Sequence, residues 1–468
     1  MPSFVEFFAG GGFARLGLGA AWKCVLANDV SPEKAATYRA NHGAGELRLQ
    51  DVRTLAPSDV PVADLWWASF PCQDHSSAGR RVGFDGDRGS LVFEITRLLH
   101  AALAAGIGPR LIAMENVTGF VRAAGGRDFV ALATALTSAG FRIGAVMADA
   151  KDFLPQSRQR MLLVAVRDGT EIPDSMVSGR PDPAWHPKVL VAAVALFPNS
   201  VGKRWVWWRL PRPTPHRLQL ADMLDAEGGA DQKWLSSERT AALVAKVAGQ
   251  DRVRLERAMI PGRPVAATTV GVRKDTAAGP VRVQTVRTDG IAGCLMCRTK
   301  SNRQQLMVIG PGAVRVRNFT PRELARLMGL PADYRLPESE PEAVRLTGDG
   351  VVVPVVRWLA ANLLEPLLTG TEMVARPRTA APVPARAPVA RRRKTGGAGE
   401  TRVVGIKKVT VGTTAYFLPA EAARMDAVAA EMGVSKHELI ILALDKMLAG
   451  RGEPPVRRYA GRRGAASP

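Results

Sequence analysis

The first 170 residues alternate short apolar runs with segments of helical periodicity. The apolar runs have the length of buried strands and lie at 4–8, 23–27, 65–68, 110–114 and 161–166. The helical patterns between them lie at 32–41, 91–105 and 129–139. Strands that alternate with helices predict an α/β fold, with a mostly parallel sheet that helices cover on both faces. Such sheets bind ligands at the carboxyl ends of their strands.

The alternation breaks near residue 171 and returns near residue 316. The region between is rich in proline and tryptophan and indicates an irregular inserted domain. We expect its core to include the tryptophan cluster 205–208, with stacking on bases as the alternative. Residues 375–404 are rich in Pro, Ala, Arg and Gly, a composition typical of a flexible basic linker. The predicted units are 1–170 and 316–370 for the main domain, 171–315 for the insert, 371–404 for the linker, 405–452 for a small C-terminal unit and 453–468 for a basic tail.

Composition narrows the class of protein. Of 468 residues, 46% are hydrophobic, which excludes wholesale disorder, and four cysteines exclude a disulfide scaffold. The first residues lack the pattern of a signal peptide, and no apolar run approaches the roughly 20 residues that a membrane span needs. We therefore expect a cytoplasmic protein without membrane contact.

Positive charge is concentrated in two regions. The chain carries 64 Lys+Arg against 43 Asp+Glu, a formal net charge of +21. Residues 171–315 hold 22 basic and 12 acidic side chains, and residues 371–468 hold 18 and 8, a net charge of +10 each, so the remainder is nearly neutral. Such charge can belong to a solvated surface, but the partner it favours is nucleic acid.

A glycine-rich turn follows the first predicted strand. Phe8-Ala9-Gly10-Gly11-Gly12 would let the backbone approach a ligand closely, with a helix N-terminus beyond it. Asp29 ends the second predicted strand, where a carboxylate can accept hydrogen bonds from ribose hydroxyls. Glycine turns and helix-capping aspartates are common, so only the combination indicates an adenosine-containing ligand.

Reactive groups follow the later strands. Cys72 lies in a loop with basic residues, where a thiol can act as a nucleophile; an inert, half-buried thiol is the alternative. Glu115 lies at the same sheet edge, where burial can make a carboxyl a proton donor; a helix-capping acid is the alternative. Arg158 and Arg160 share one face of the fifth strand and could bind phosphate, bind a base carbonyl or be solvated.

In this order and spacing, the motifs resemble the conserved blocks of the DNA (cytosine-5)-methyltransferases. The matching residues are 8–12, Asp29, Asp51, Pro71-Cys72-Gln73, Glu115-Asn116-Val117, 156–160, Arg317, Thr320, Arg322, Glu323, Arg326, Gly329, Pro331 and 348–351. The resemblance covers about residues 3–170 and 315–370. It implies a Rossmann-like, doubly wound methyltransferase fold that depends on S-adenosylmethionine, with an inserted target-recognition domain.

The resemblance implies which residues bind S-adenosylmethionine, the expected cofactor. Phe8 would stack on the adenine, Asp29 would hold the ribose and Asp51 would accept from the exocyclic amine. The other residues implied at the cofactor are Gly10, Gly12, Pro71, Leu91 and Asp349. Asp349 stands where the family usually has asparagine, so its role is open.

The resemblance also implies the chemistry. The Cys72 thiolate would add to C6 of a cytosine flipped out of duplex DNA, protonated Glu115 would bond to N3, and Asn116 would place Glu115. Arg160 would bind O2 of the base, with Arg158 beside it. Methyl transfer to C5, loss of the C5 proton and elimination of Cys72 would complete the reaction.

The residues expected to contact DNA lie in three places. They are Gln73 and Ser76 in the loop of the nucleophile, Arg287, Arg298 and Arg303 in the insert, and Lys407 and Lys408 in the C-terminal unit. The stretch 282–305 is rich in groups that read base edges. Cys294 and Cys297 form a lone CxxC, and because a zinc site needs four ligands, we expect no metal.

The C-terminal unit resembles a ribbon-helix-helix module. A strand pattern at 403–411 precedes two helical patterns, the second of which begins with the capping box of Ser435 and Glu438. Such modules are dimers that place a two-stranded ribbon in the major groove. The resemblance implies a homodimer through this unit, and a small packing element is the alternative.

Three functions are compatible with the sequence. The leading one is a modification methyltransferase of prokaryotic or phage type, associated with the nucleoid and paired with a cognate restriction endonuclease. The second is an RNA cytosine-5 methyltransferase. The third is a DNA-binding regulator that acts through the C-terminal unit, but the intact Cys72, Glu115 and Arg160 argue against an inactive catalytic body.

Overall fold

The computed structural model describes residues 1–71, 91–229, 232–260, 262, 264–276, 279–297 and 303–370, together with Val428 and Glu431. The chain divides into two units, Met1–Thr379 and Ala380–Pro468. Six residues predicted to act in catalysis or DNA binding lie outside the described residues: Cys72, Gln73, Ser76, Arg298, Lys407 and Lys408. The predicted ribbon-helix-helix module also lies outside them, apart from the two isolated positions.

A seven-stranded sheet forms the centre of the first unit. Its strands are β1 (Ser3–Phe7), β2 (Lys23–Asp29), β3 (Leu47–Leu49), β4 (Leu65–Ala68), β5 (Leu111–Val117), β6 (Phe141–Asp149) and β7 (Gln159–Arg167). They stand in the order β3-β2-β1-β4-β5-β7-β6. The first five strands are parallel and β7 runs antiparallel to both neighbours, which confirms the predicted mostly parallel sheet. The order reverses between β1 and β4, where such sheets bind ligands.

Helices and apolar clusters cover both faces of this sheet. Within the described part of residues 1–370, the α-helices are α1 (Phe13–Leu18), α2 (Pro32–His42), α3 (Leu91–Ala104), α4 (Arg127–Ser138), α5 (Lys188–Val194), α6 (Asn199–Gly202), α7 (Ser237–Val244), α8 (Gln250–Ala258), α9 (Pro321–Leu327), α10 (Glu340–Asp349), α11 (Val353–Leu359) and α12 (Glu365–Thr369). Phe4 and Trp67 pack in one cluster, and Val5 and Trp66 in the other. Neighbouring residues separate in this way because successive side chains of a strand point to opposite faces.

The C-terminal helices return to the main sheet. α11 packs on α1 so closely that a Cβ on Gly17 would lie 2.3 Å from Cβ of Val356. Within the described residues, one helical run, Glu340–Thr369, is long and apolar enough to cross a membrane, but 56% of its most apolar window is buried inside the molecule. That burial is typical of a core helix.

A second, antiparallel sheet lies within the inserted region. Its strands are β10 (Val265–Thr276), β11 (Gly279–Arg287), β12 (Gln305–Gly310) and β13 (Ala313–Asn318), in the order β11-β10-β12-β13. α7 and α8 supply Leu243 and Leu255 to a small core that also holds Met307 and Val316. We call these four strands the recognition sheet, after the target-recognition role that the resemblance implies for the insert. The sequence pattern predicts only irregular structure here because Thr, Arg and Lys interrupt the apolar positions of β10 and β11.

The tryptophan cluster 205–208 is core, and its neighbours include the main sheet. A short pair, β8 (Val177–Ser178) and β9 (Trp207–Trp208), leads into the edge of β6. There the N–H of Val206 donates to the carbonyl of Ile143 at 2.7 Å. Trp208 is fully buried in the same cluster as Phe4. The prediction that this cluster is core is therefore confirmed at Trp208, which packs among residues of the insert such as Trp185 as well as against the main sheet.

Candidate active site

A cavity of about 980 Å³ lies beside the carboxyl ends of the central strands. It brings together eleven residues predicted at the cofactor or in catalysis, which are Phe8, Gly10, Asp29, Asp51, Pro71, Leu91, Glu115, Asn116, Arg158, Arg160 and Asp349. Gly12 does not line it. A Cβ on Gly12 would lie 2.4 Å from Nε2 of His42, so this glycine serves close packing against α2.

The turn after β1 fixes the carboxylate of Asp29. The N–H of Gly10 donates to its Oδ2 at 2.7 Å, and the N–H of Ser31 donates to its Oδ1 at 2.8 Å. Phe8 adopts a φ of 57° and Gly10 a φ of 56°, left-handed conformations that cost a residue with a side chain about 1 kcal/mol or more. The strained turn aims backbone N–H groups at Asp29 and leaves the carboxylate free to accept bonds from the cavity.

Asp51 lies farther along the cavity, where it caps a short helical turn. Its carboxylate accepts from Nε of Arg53 at 3.1 Å and from Nη2 at 2.7 Å. These side-chain hydrogen bonds hold the pKa of Asp51 below its ordinary value. Asp51 is therefore ionised at neutral pH, with one of its acceptor faces occupied by Arg53.

Several ionisable residues that the sequence did not single out also line the cavity, among them Lys34 and Glu6. Lys34, on α2, forms an ion pair with Asp349, at the end of α10, with 2.9 Å between Nζ and Oδ2. Glu6, on β1, is 2% exposed, and its Oε2 is buried without a hydrogen-bond partner. Burial raises the pKa of Glu6 to about 8. A basic residue on a helix and an acid within an apolar strand give no sequence signal of a site.

Glu115 and Arg160 form a buried ion pair on the other side of the cavity. Nε of Arg160 lies 2.9 Å from Oε1 of Glu115, which is 7% exposed. The register of β5 and β7 pairs Val117 with Arg160 and so places the guanidinium beside Glu115. Burial raises the pKa of Glu115 more than the two arginines 158 and 160 lower it, so its carboxyl is easier to protonate than usual.

Asn116 connects β5 to the segment that precedes Cys72. Its Nδ2 donates to the carbonyl of Phe70 at 3.2 Å, and its Oδ1 accepts from the N–H of Val117 at 2.8 Å. Asn116 is 1% exposed. Asn116 therefore fixes the backbone beside Glu115 and the backbone of the segment that follows β4.

The model of the C-5 cytosine-specific DNA methylase family matches residues 2–365. The chain belongs to this family. It is a DNA (cytosine-5)-methyltransferase. Among similar proteins, Type II methyltransferase M.NlaX of Neisseria lactamica is 28% identical over 78% of this chain and 96% of its own length. Type II methyltransferase M.Bsp6I of Bacillus sp. is 27% identical over 79% and 100%.

Solved structures show the same fold. The S. pombe Dnmt2 methyltransferase superposes with a TM-score of 0.50 at 19% identity, over 78% of this chain and 99% of that one. The Entamoeba histolytica methyltransferase EhMeth gives 0.51 at 15% identity, over 78% and 99%. The predicted α/β methyltransferase fold is therefore confirmed.

Arg158 of the methyltransferase braces the cavity wall. Its Nη1 donates to the carbonyl of Leu295 at 2.8 Å, and its Nη2 donates to the carbonyls of Gly348 and Gly350, both at 2.8 Å. The side chain is 3% exposed. The prediction that Arg158 and Arg160 share one strand face is wrong, because β7 begins at Gln159 and Arg158 precedes it. Arg160 pairs with Glu115, whereas Arg158 joins the insert to the C-terminal segment.

The recognition sheet of the methyltransferase carries a second cavity, of about 510 Å³. Arg287 and Gln304 line it, and Nε of Arg287 is paired with Asp289 at 2.7 Å. Arg303, predicted to contact DNA, instead binds Glu340 at 2.9 Å and the carbonyl of Phe319 at 3.1 Å. Those bonds tie Arg303 to the main domain.

Proposed function

We propose that this methyltransferase moves a methyl group from S-adenosylmethionine to C5 of a cytosine in duplex DNA, through a covalent bond between Cys72 and C6. The observation that carries the proposal is the buried pair of Glu115 and Arg160, 2.9 Å apart, in the cavity that also contains Asp29. A proton donor and a ribose acceptor thus face the same space, as transfer between two bound molecules requires.

The cavity suits S-adenosylmethionine, which supplies a reactive methyl group when bound. Asp29 would hold the ribose, and Phe8 and Leu91 provide apolar surface for the adenine. The ligand carries a positively charged sulfur, which the buried carboxyl of Glu6, with its unpartnered oxygen, suits. Lys34 and Asp349 offer opposite charges to the amino acid part of the ligand.

The protein groups would act in sequence on the base. The Cys72 thiolate adds to C6, which makes C5 electron-rich, while protonated Glu115 donates to N3 and offsets the developing charge. Arg160, held by Glu115, binds O2. Once the methyl group is on C5, the C5 proton leaves to a base, the N3 proton returns to Glu115 and the bond between Cys72 and C6 breaks, so the thiolate is regenerated. The target base must leave the duplex for this, at a cost of a few kcal/mol.

The proposal extends to the macromolecules that this methyltransferase binds. The insert carries a net charge of +10 and holds the recognition sheet, so we assign it to duplex DNA, with binding that weakens steeply as salt rises. Because relatives are named Type II methyltransferases, we propose a restriction–modification role with a cognate endonuclease, in the cytoplasm with the nucleoid. Lys407 and Lys408 remain predicted DNA contacts, and the C-terminal homodimer remains a prediction.

A radiolabelled methyl-transfer assay tests the proposal. Cys72→Ser should abolish transfer to duplex DNA, whereas Cys24→Ser, which changes a thiol outside the cavity, should retain it. Undiminished activity of Cys72→Ser would refute the covalent mechanism. Equal or greater activity on tRNA would instead support an RNA substrate. Bisulfite sequencing of DNA from a host that expresses the chain should then give the recognised sequence.

A further inference from the structure

Residues 291–297, which we call the strap, lie between β11 and β12 of the recognition sheet and form part of the cavity wall. Ala292 anchors the strap to the loop before β7, because its N–H donates to the carbonyl of Pro155 at 2.8 Å. Farther along, the strap lies against the end of α10, where a Cβ on Gly348 would lie 2.3 Å from the backbone nitrogen of Cys297. A stretch of the insert and a stretch of the C-terminal part of the main domain therefore share one wall of the cavity.

Arg158 joins the strap to the segment 348–350. Its Nη1 donates to the carbonyl of Leu295 in the strap at 2.8 Å, and its Nη2 donates to the carbonyls of Gly348 and Gly350, both at 2.8 Å. The guanidinium thus donates three hydrogen bonds to the backbone of residues that line the cavity. Its terminal nitrogens are directed at the wall of the cavity, and this use of them differs from the binding of a base.

The backbone of Arg158 is itself fixed at the end of β6. Its N–H donates to Oδ1 of Asp149 at 2.8 Å, and its carbonyl accepts from the N–H of Ala150 at 3.1 Å. A guanidinium is planar and presents its N–H groups in fixed directions. Because the backbone below it is anchored and the side chain is buried, Arg158 can hold two separate segments in one arrangement.

The segment that Arg158 holds carries Asp349, whose carboxylate forms the ion pair with Lys34. The two carbonyls that accept from Nη2 of Arg158 flank Asp349 in the chain. On its other side the segment packs on α1, where a Cβ on Gly350 would lie 2.3 Å from Cδ2 of Phe13. The hydrogen bonds of Arg158 therefore fix the backbone that places Asp349 in the cavity.

We propose that Arg158 is a positioning residue for the cofactor, which holds the strap and Asp349 in the wall of the cavity and does not itself bind the cytosine. The inference rests on the proposed function, which places S-adenosylmethionine in this cavity. It reassigns one of the two arginines that the resemblance implies at the base, and leaves Arg160, the partner of Glu115, as the arginine that acts there. The strap then connects the insert, which we assign to DNA, to the binding site of the cofactor.

The first test measures the Kd of S-adenosylmethionine for the full chain by isothermal titration calorimetry, together with KM and kcat on duplex DNA that contains the recognised sequence. Arg158→Met should raise Kd and KM for the cofactor about tenfold and keep kcat within about threefold, because the lost bonds support the cofactor equally in the ground state and the transition state. Arg158→Lys should show the same defect, since one ammonium keeps the charge but does not span the three carbonyls. Arg167→Met, which removes a bond to the carbonyl of Gly108 outside the cavity, should keep the wild-type Kd.

The second test is independent of the methyl-transfer assay. In hydrogen–deuterium exchange of the wild-type chain, S-adenosylmethionine should slow exchange in the peptides that contain residues 291–297 and 346–351. Without the cofactor, the same two peptides should exchange faster in Arg158→Met than in the wild type, because the bonds that join them are gone.

Three results would overturn the proposal. The first is a lowered kcat in Arg158→Met with an unchanged Kd for the cofactor, which would place Arg158 at the base. The second is full recovery of the Kd in Arg158→Lys, which would assign the effect to charge. The third, which holds even if no variant of Arg158 folds, is cofactor binding to the wild type that leaves exchange in both peptides unchanged. A wild-type chain that binds no S-adenosylmethionine would instead refute the proposed function.

Discussion

Lys34 and Asp349, separated by 315 positions in the chain, form an ion pair across the cofactor cavity. The pair joins α2, near the start of the main domain, to the end of α10, after the insert. Burial lowers the pKa of Lys34, but Asp349 and Asp29 raise it by more, so the ammonium is firmly charged. The position that the resemblance left open is thus one half of an ion pair.

Asp349→Asn should weaken the binding of S-adenosylmethionine several-fold with little loss of stability. Both side chains of the pair are about a third exposed, so the pair contributes no more than about 1 kcal/mol to folding. The variant does, however, replace the negative charge of Asp349 by a neutral amide at the place where we expect the amino acid part of S-adenosylmethionine. Isothermal titration calorimetry measures the affinity, and Arg345→Gln, an exposed charge change on the same helix, is the control. An unchanged affinity would remove Asp349 from the cofactor site.

The raised pKa of Glu6 predicts that the free energy of unfolding depends on pH. Its pKa is about 4.5 in the unfolded chain and about 8 when folded, so the folded state holds a proton that the unfolded state has lost between these values. This stabilisation is complete below pH 4.5 and is lost as pH rises through 8, by about 5 kcal/mol in the unliganded protein. Glu6→Gln should flatten the profile in urea titrations from pH 5 to 9. An equally steep profile in the variant would assign the effect to other groups.

The sequence predicted the main sheet and the strand-end residues because both follow from local pattern. β4 is an unbroken apolar run between turns, and Asp29 is the last residue of β2, as expected. The recognition sheet was not predicted because Thr, Arg and Lys interrupt the apolar positions of β10 and β11. Glu6 and Lys34 were missed because their roles arise from contacts between distant segments, which no local spacing encodes.

Arg317 and Glu323 form a buried ion pair, and its disruption should lower the free energy of unfolding substantially. They are 2% and 0% exposed, and two hydrogen bonds of 2.7 and 2.6 Å connect β13 to α9. Arg317→Met should destabilise the protein by about 3–5 kcal/mol because it leaves a buried carboxylate unpaired. Arg315→Met, on the same strand but half exposed, should cost less than about 1 kcal/mol. Similar losses in urea unfolding for both variants would contradict the assignment.

The close approach of Gly17 to Val356 provides a test of how the C-terminal helices pack on the main domain. A Cβ at this position would lie 2.3 Å from Cβ of Val356, so Gly17→Ala should destabilise the protein by about 1–3 kcal/mol through overpacking. Val356→Ala in the same chain should recover a small part of the loss, because it removes the Cγ1 methyl group 2.7 Å from the added Cβ but keeps the Cβ of residue 356, and a double-mutant cycle measures that coupling. Gly45→Ala, where a Cβ meets nothing within 4 Å, is the matched control. If the two substitutions add without coupling, α1 and α11 do not pack as closely in solution as this contact requires.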